Sequence, residues 1–143
     1  MSAVGDLYRA IVLEHGKRPR NVGRLPTATH AAAGDNPLCG DALRVEIALA
    51  GDELVALRFD GESCVLATAS ASLMTERLTG ATSAQARRSI ELMEALCAQG
   101  AAAVPADEGM LGELGVFADV HRHPVRVACA LLPWRTLRSA LGD

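Results

Sequence analysis

Apolar and polar residues alternate along one stretch of the first half of the chain. From Leu43 to Leu49 the apolar side chains fall mostly at every second position, and extended character resumes from Leu54 to Asp60. The Gly51-Asp52 pair between these stretches is typical of a turn. Because successive side chains of a strand point to opposite faces, the pattern predicts a β-hairpin.

Elsewhere the apolar residues recur at helical spacing. Three helices are predicted: Asp6–Glu14, the segment that follows Gly61 and runs to Leu78, and Ser83–Ala98. Gly16, Gly80 and Gly100 lie where these helices are expected to end, and Ser63 is the candidate N-cap of the second. The segment Lys17–Asn21 contains a proline and is expected to end the first helix.

The C-terminal third of the chain is less regular. Ala101–Val120 is predicted to be a loop, whereas Pro124–Leu141 has the apolar content of a helix that Pro133 should break or kink. A helix, then strands, then helices predicts an α+β fold, with helices packed on one face of a small antiparallel sheet. The 143 residues are expected to form a single domain, 1–143.

Net charge and cysteine content limit the classes of function that the chain can have. A net charge of −3 and an isoelectric point near 5.8 argue against nucleic-acid binding, which requires clustered basic residues. The sequence has no apolar run long enough for a bilayer and no apparent secretory signal, so a cytoplasmic protein without a membrane partner is expected. In that reducing compartment, four cysteines favour metal or thiolate chemistry over disulfides.

The first candidate site is the stretch Asn36-Pro-Leu-Cys39-Gly-Asp41. Its proline and glycine predict a turn, in which Gly40 permits a positive φ and lets Cys39 and Asp41 converge. A thiolate and a carboxylate offer zinc one soft and one hard ligand. The alternative is a turn that carries an incidental thiol.

Two further cysteines have favourable surroundings. Cys64 falls where a strand gives way to a helix, so free backbone N–H groups and the helix dipole should favour its thiolate. Cys129 follows Arg126 by one helical turn, and that cation is expected to lower its pKa. For each cysteine the alternative is a small buried apolar residue.

The remaining candidates have ordinary explanations. Cys97 follows Leu96 on a helix with no Gly, Asp or Arg beside it and is expected to pack in the core. His121 and His123 flank Arg122 in an apparent loop, where solvated side chains are more common than metal ligands.

Short stretches spread over nearly the whole chain match one known family. They are Leu7-Tyr8, His15 with Lys17 and Pro19-Arg-Asn21, Asn36-Pro37 with Cys39-Gly-Asp41, Phe59 with Gly61 and Cys64, Ala67 through Met74, and Arg126 with Cys129 through Leu137. Together they resemble the U-type iron-sulfur cluster assembly proteins, and in particular the SufU branch with its SufE-like and NifU-like fold.

The resemblance implies a tetrahedral zinc held by Cys39, Asp41, Cys64 and Cys129, with Arg126 beside it. It further implies that the site accepts sulfane sulfur from a SufS-type cysteine desulfurase that uses pyridoxal phosphate. Cys39 would accept the sulfur, and Arg126 would be the second catalytic residue of this zinc-dependent sulfurtransferase reaction.

Departures from the IscU branch support this assignment. The Leu-Pro-Pro-Val-Lys segment that binds an Hsp70-type chaperone in IscU proteins is absent, and Ala128 stands where they have histidine. The segment from Gly100 to Arg122 resembles the insertion of SufU proteins. A chaperone partner is therefore not expected.

Two other functions remain open on the same residues. Cys39, Cys64 and Cys129 with Asp41 are also suited to holding a transient [2Fe-2S] cluster on a scaffold, for transfer to apo iron-sulfur proteins or to a SufBCD-type scaffold. A purely structural zinc domain is the third possibility, and it predicts that metal removal unfolds the chain.

Overall fold

The computed structural model describes residues 3–100, 104 and 112–142. Within them the elements are α1 Ala3–Lys17, β1 His30–Asn36, β2 Asp41–Ala50, β3 Glu53–Glu62, α2 Val65–Leu78, α3 Ser83–Gln99, a 3₁₀ helix Gly112–Arg122, and α4 Pro124–Leu141. None of the described helices has the length and apolar content needed to cross a membrane.

The sheet has three antiparallel strands in the order β1-β2-β3. The predicted hairpin is confirmed as β2 and β3, with Val45 opposite Phe59 and both side chains buried. β1 pairs with the other edge of β2 and was not predicted, because its run of alanines and glycine has no apolar alternation. Its addition places the Asn36–Asp41 stretch between two paired strands.

The helices pack on one face of this sheet, as predicted. α4 lies against β1 and β2, and α2 lies against β3; α1 packs on α2, and α3 packs on α4. Fully buried side chains fill the space between the layers, among them Trp134, Phe117, Met74, Ile47 and Leu57. The α+β prediction is confirmed.

Two helix boundaries differ from the prediction. α1 is longer than expected and ends at Lys17 rather than at Gly16. The N-cap of α2 is Cys64 instead of Ser63, whose hydroxyl pairs with the Thr68 hydroxyl at 2.8 Å. The functional candidate itself therefore begins the helix.

The C-terminal region is more regular than predicted. The loop predicted for Ala101–Val120 is wrong over residues 112–120, where a 3₁₀ helix runs on to Arg122 and buries Leu114 and Phe117 in the core. Residues 101–103 and 105–111 lie outside the described residues. The expected break at Pro133 is also wrong, because α4 continues through this residue. Pro133 is buried with its neighbours, so tertiary packing offsets the lost backbone hydrogen bond.

Gly61 allows β3 to pass close to β2 just before the helix that starts at Cys64. A Cβ atom there would lie 2.3 Å from the Ala42 carbonyl oxygen and 2.7 Å from the Leu43 Cα, with φ at +134°. We expect Gly61→Ala to lower the free energy of unfolding by about 2–4 kcal/mol in chemical denaturation. The control is Gly51→Ala, where φ is +61° and no atom lies within 4 Å, and which should cost about 1 kcal/mol. Equal losses would contradict the steric argument.

His15 is a buried histidine that joins α1 to α2. Its Nδ1 lies 2.7 Å from the Ser72 hydroxyl, which also accepts a hydrogen bond from the Arg20 backbone N–H. Burial, and then the Arg20 cation, hold the pKa of His15 below its ordinary value. The carboxylates that oppose this shift are Glu76, Glu113 and Glu14.

Because its pKa is lower in the folded state, His15 takes up a proton more readily when the chain unfolds. Its contribution should therefore be complete above the ordinary pKa of about 6.5 and fall as the pH drops below that value. We expect wild-type stability to fall between pH 7.5 and pH 5.5 more steeply than that of His15→Gln. Parallel curves for the two proteins would contradict this assignment.

Candidate metal centre

Three elements bring cysteine and aspartate side chains together at one end of the sheet. Cys39 lies in the turn between β1 and β2, Asp41 is the first residue of β2, and Cys129 lies on α4. Their ligand atoms all lie within 4.8 Å of one another, and the two sulfur atoms are 3.0 Å apart. The convergence predicted for Cys39 and Asp41 is thus present, with Cys129 beside them.

The turn has the local structure that its residues favour. The Cys39 N–H donates to the Asn36 carbonyl at 3.1 Å, which closes a four-residue turn with Pro37 at its second position. Gly40 follows with φ at +71°, as predicted. Asn36 and Asp41 are then paired across the strands, which fixes the carboxylate at the base of the turn.

Cys64 joins this group through its backbone. Its N–H donates to Asp41 Oδ1 at 2.7 Å, while its own sulfur accepts from the Ala67 N–H at 3.4 Å as the N-cap of α2. The predicted position at a helix start is confirmed. The first turn of α2 therefore holds both Cys64 and the carboxylate of Asp41.

The second carboxylate oxygen of Asp41 is the most informative atom of the centre. Asp41 is 2 % exposed, and its Oδ2 is buried without a hydrogen-bond partner among the described residues. A buried carboxylate oxygen is costly unless a proton donor or a cation satisfies it. Of the four predicted ligands, Cys39, Asp41 and Cys129 have ligand atoms that lie together, and the sulfur of Cys64 is not among them. Two thiols and one carboxylate are donors suited to zinc, so these residues fit the metal that the resemblance implied.

Cys129 is the most deeply placed of the three thiols. Burial raises its pKa well above the ordinary value of a thiol, and the neighbouring thiols of Cys39 and Cys64 add to the effect. Asn36 Nδ2 also lies within donating distance of its sulfur, at 3.7 Å. The predicted lowering of this pKa by Arg126 is therefore wrong for the metal-free site, because burial and the adjacent thiols dominate.

Arg126 lies beside the centre on a different surface. Its side chain lines a cavity together with Tyr8 and Val120, one helical turn before Cys129. Its charge lowers the pKa of the Tyr8 hydroxyl, which burial raises by more. The sulfur-transfer role predicted for Arg126 stays a prediction.

The other cysteine and histidine candidates lie apart from this group. Cys97 is fully buried in the core, and burial raises its pKa to about 12, as expected for an unreactive packing residue. His121 Nδ1 hydrogen-bonds the Ala118 carbonyl at 2.8 Å. Within the described part of the chain, neither His121 nor His123 belongs to the group of potential metal ligands.

Sequence reasoning missed two contributors to the centre. One is Asn36, whose side chain reaches Cys129; an asparagine before proline was a turn signal and nothing more. The other is the hydrogen bond from the Cys64 backbone to Asp41. No local sequence pattern predicts a contact between residues that are 23 positions apart.

Comparison with known proteins agrees with this arrangement. The family described as "NifU-like N terminal domain" matches residues 7–130. The chain is 33% identical over 137 residues to the "Zinc-dependent sulfurtransferase SufU" of Bacillus subtilis, covering 95% of this chain and 90% of that protein. It is 31% identical over 141 residues to the "Iron-sulfur cluster assembly scaffold protein IscU" of Streptococcus pyogenes, covering 99% and 86%.

A solved structure has the same architecture. The crystal structure of a putative iron-sulfur cluster assembly scaffold protein for the SUF system from Fervidobacterium islandicum superimposes with a TM-score of 0.85. The two chains are 31% identical, and the match covers 95% of this chain and 97% of the other. The names of these relatives include both a sulfurtransferase and scaffolds.

Proposed function

The chain belongs to the NifU-like N-terminal domain family, which includes the IscU and SufU proteins of iron-sulfur cluster assembly, and within it we propose a zinc-dependent sulfur acceptor of the SufU type. The observation that carries this proposal is the unsatisfied Oδ2 of Asp41, buried beside the thiols. A carboxylate held in this way stabilises a resident cation.

Zinc would be held by Cys39, Asp41, Cys64 and Cys129. When bound, it supplies the positive charge that keeps these thiols ionised at neutral pH. The protein holds the donors in place through the Cys64 N–H on Asp41 and the closed turn at Cys39. We propose that the protein acts in the cytoplasm, where cysteines remain reduced.

Cys39 is the acceptor in this proposal because it is more accessible than Cys129 and lies on an exposed turn. It is half-buried on a turn next to Leu38, which is 79% exposed, whereas Cys129 is only 4% exposed. Cys64 is half-buried as well, and its sulfur accepts the Ala67 N–H at the start of α2, away from the turn. A protein that approaches the turn would therefore meet Cys39 first.

The sulfur donor in this proposal is a SufS-type cysteine desulfurase that carries a persulfide. The Cys39 thiolate attacks the terminal sulfur of that persulfide, so that a new S–S bond forms on Cys39. The donor's own S–S bond breaks, and its cysteine leaves as a thiolate. The sulfur is then available for a SufBCD-type scaffold or for other apo-proteins.

A second candidate is a scaffold on which a [2Fe-2S] cluster is the cargo. Cys39, Asp41 and Cys129 lie together, and with Cys64 they would offer three thiolates and one carboxylate to such a cluster; several relatives are named as scaffolds. The carboxylate would make the cargo easier to release. Both candidates use the same four residues.

One experiment separates the candidates. The anaerobically purified chain is analysed for zinc, iron and acid-labile sulfide, and its effect on the desulfurase's alanine production from cysteine is measured. About one zinc per chain with strong stimulation, and a mass increase of one sulfur atom on Cys39, is the result expected for the acceptor. Iron and sulfide with a visible charge-transfer spectrum, and little stimulation, would establish the scaffold instead. Unfolding on metal removal, without either activity, would leave only a structural zinc domain.

A further inference from the structure

A cavity of about 340 Å³ opens next to the thiol centre, between α1, the 3₁₀ helix and the start of α4. Its floor is apolar: Val116 and Val120 are buried, and Tyr8 is half-buried. Arg126 lines the cavity from α4 and lies one helical turn before Cys129, so the cavity and the centre are neighbours.

The rim of the cavity is charged and mainly basic. Arg9, His123 and Arg126 line it from α1 and the start of α4, and Asp119 is its acidic member. All four are exposed. This basic rim stands out because the chain as a whole carries a formal charge of −3.

The start of α4 adds to the positive potential. His123 is the N-cap residue but makes no side-chain capping hydrogen bond, and the first turn contains no acidic residue. The positive end of the α4 dipole is therefore not compensated by a side chain of the helix. An anion with an apolar stem matches the floor and rim together.

We propose that this cavity receives an acidic side chain of the protein that delivers sulfur. The aliphatic stem would pack on the two valines, and the carboxylate would pair with Arg9 and Arg126. This inference rests on the proposed function, because it requires a sulfur-donating protein.

The position of the cavity favours a protein over a free anion. A donor must bring its persulfide into contact with Cys39, so its surface covers the region around the centre, including residues one helical turn from Cys129. The rim is open to solvent and holds two arginines from different helices, which suits the charge-guided approach of a macromolecule. The net negative charge of the chain disfavours nucleic acid as the occupant.

The test measures how fast the zinc-loaded full chain associates with a SufS-type desulfurase, by stopped-flow fluorescence at several salt concentrations. Arg9→Gln combined with His123→Gln should slow association by about tenfold at low salt and flatten its salt dependence. Asp119→Asn should have the opposite effect on the association rate, because it removes a negative charge from the rim, and should accelerate association by about threefold. The matched control is Arg88→Gln, because Arg88, like Arg9, is an exposed helical arginine near a carboxylate three residues away.

The outcomes are distinguishable from failure of the proposed function. If the wild-type chain does not bind the desulfurase, the proposed function itself is wrong. If it binds but the Arg9 and His123 variant associates at the wild-type rate, or Asp119→Asn slows association, the cavity is not the docking site. Free glutamate, titrated against the chain alone at constant ionic strength and followed by NMR, should produce no saturable shift around the cavity below about 10 mM. Saturation at lower concentrations would assign the cavity to a small molecule and overturn the proposal.

Discussion

Replacing Cys39 with serine is expected to reduce sulfur acceptance from the desulfurase by at least about a hundredfold, because a neutral hydroxyl does not attack a persulfide as a thiolate does. The turn should persist, since its closing hydrogen bond joins the Cys39 N–H to the Asn36 carbonyl and uses no sulfur. The measurement is transfer of labelled sulfur from cysteine, quantified on each cysteine by peptide mass spectrometry.

Cys97→Ala is the matched control for this substitution. Cys97 is fully buried, and its pKa is raised to about 12, so it holds almost no thiolate at neutral pH. Its removal should leave sulfur transfer unchanged. If Cys39→Ser still acquires labelled sulfur, on Cys64 or Cys129, the acceptor is one of those residues and the accessibility argument is wrong.

The sequence predicted the parts of the fold that carry a periodic signal. The hairpin from Leu43 to Asp60 and helices α2 and α3 follow directly from apolar spacing. β1 was not predicted, because its alanines and glycine are held by backbone pairing with β2 and by close packing on α4. A Cβ atom on Gly34 would collide with Thr136 of α4. A strand of this kind is specified by its neighbours rather than by its own residues.

Pro133 and the 3₁₀ helix show the same limit. A proline inside a helix is unfavourable locally, yet here it is one residue from Trp134, which is fully buried and donates a hydrogen bond to the Ser70 hydroxyl. Likewise, Phe117 in the 3₁₀ helix packs edge-to-face on the Tyr8 ring at 6.2 Å. Tertiary contacts decide both cases, and a single sequence does not contain them.

The centre was predictable in part: the structure brings Cys39, Asp41 and Cys129 together, while the ligand role of Cys64 stays a prediction. Cys39 and Asp41 were recognised from their spacing around glycine, and Cys64 from its position at a helix start. The direction of the Cys129 pKa was not recoverable, because it depends on how deeply α4 buries the thiol and on which thiols surround it. Such environmental effects outweigh the sequence proximity of Arg126.

Asp41→Asn is expected to have opposite effects on the zinc-loaded and metal-free chains. Asparagine keeps an oxygen that accepts the Cys64 N–H, now 2.7 Å from Oδ1, but it removes the negative charge. Without metal, the buried carboxylate with its unpartnered Oδ2 destabilises the aspartate form. Asparagine is neutral and places N–H donors beside the Cys39 and Cys129 sulfurs, so it should raise the free energy of unfolding by about 1–3 kcal/mol. With zinc, the loss of a charged ligand should weaken binding by at least about a hundredfold.

Asp41→Ala separates these two contributions, because it removes the acceptor as well as the charge. The Cys64 N–H then loses its partner, so the metal-free alanine variant should be less stable than the asparagine variant, while both bind zinc weakly. Chemical denaturation with chelator gives the first comparison, and zinc competition with a chromophoric chelator gives the second. If asparagine binds zinc as tightly as aspartate, Asp41 is no ligand. If asparagine destabilises the metal-free chain, the Oδ2 of Asp41 in the wild-type protein must already have a hydrogen-bond donor. The strongest argument for a cation at this centre is then lost.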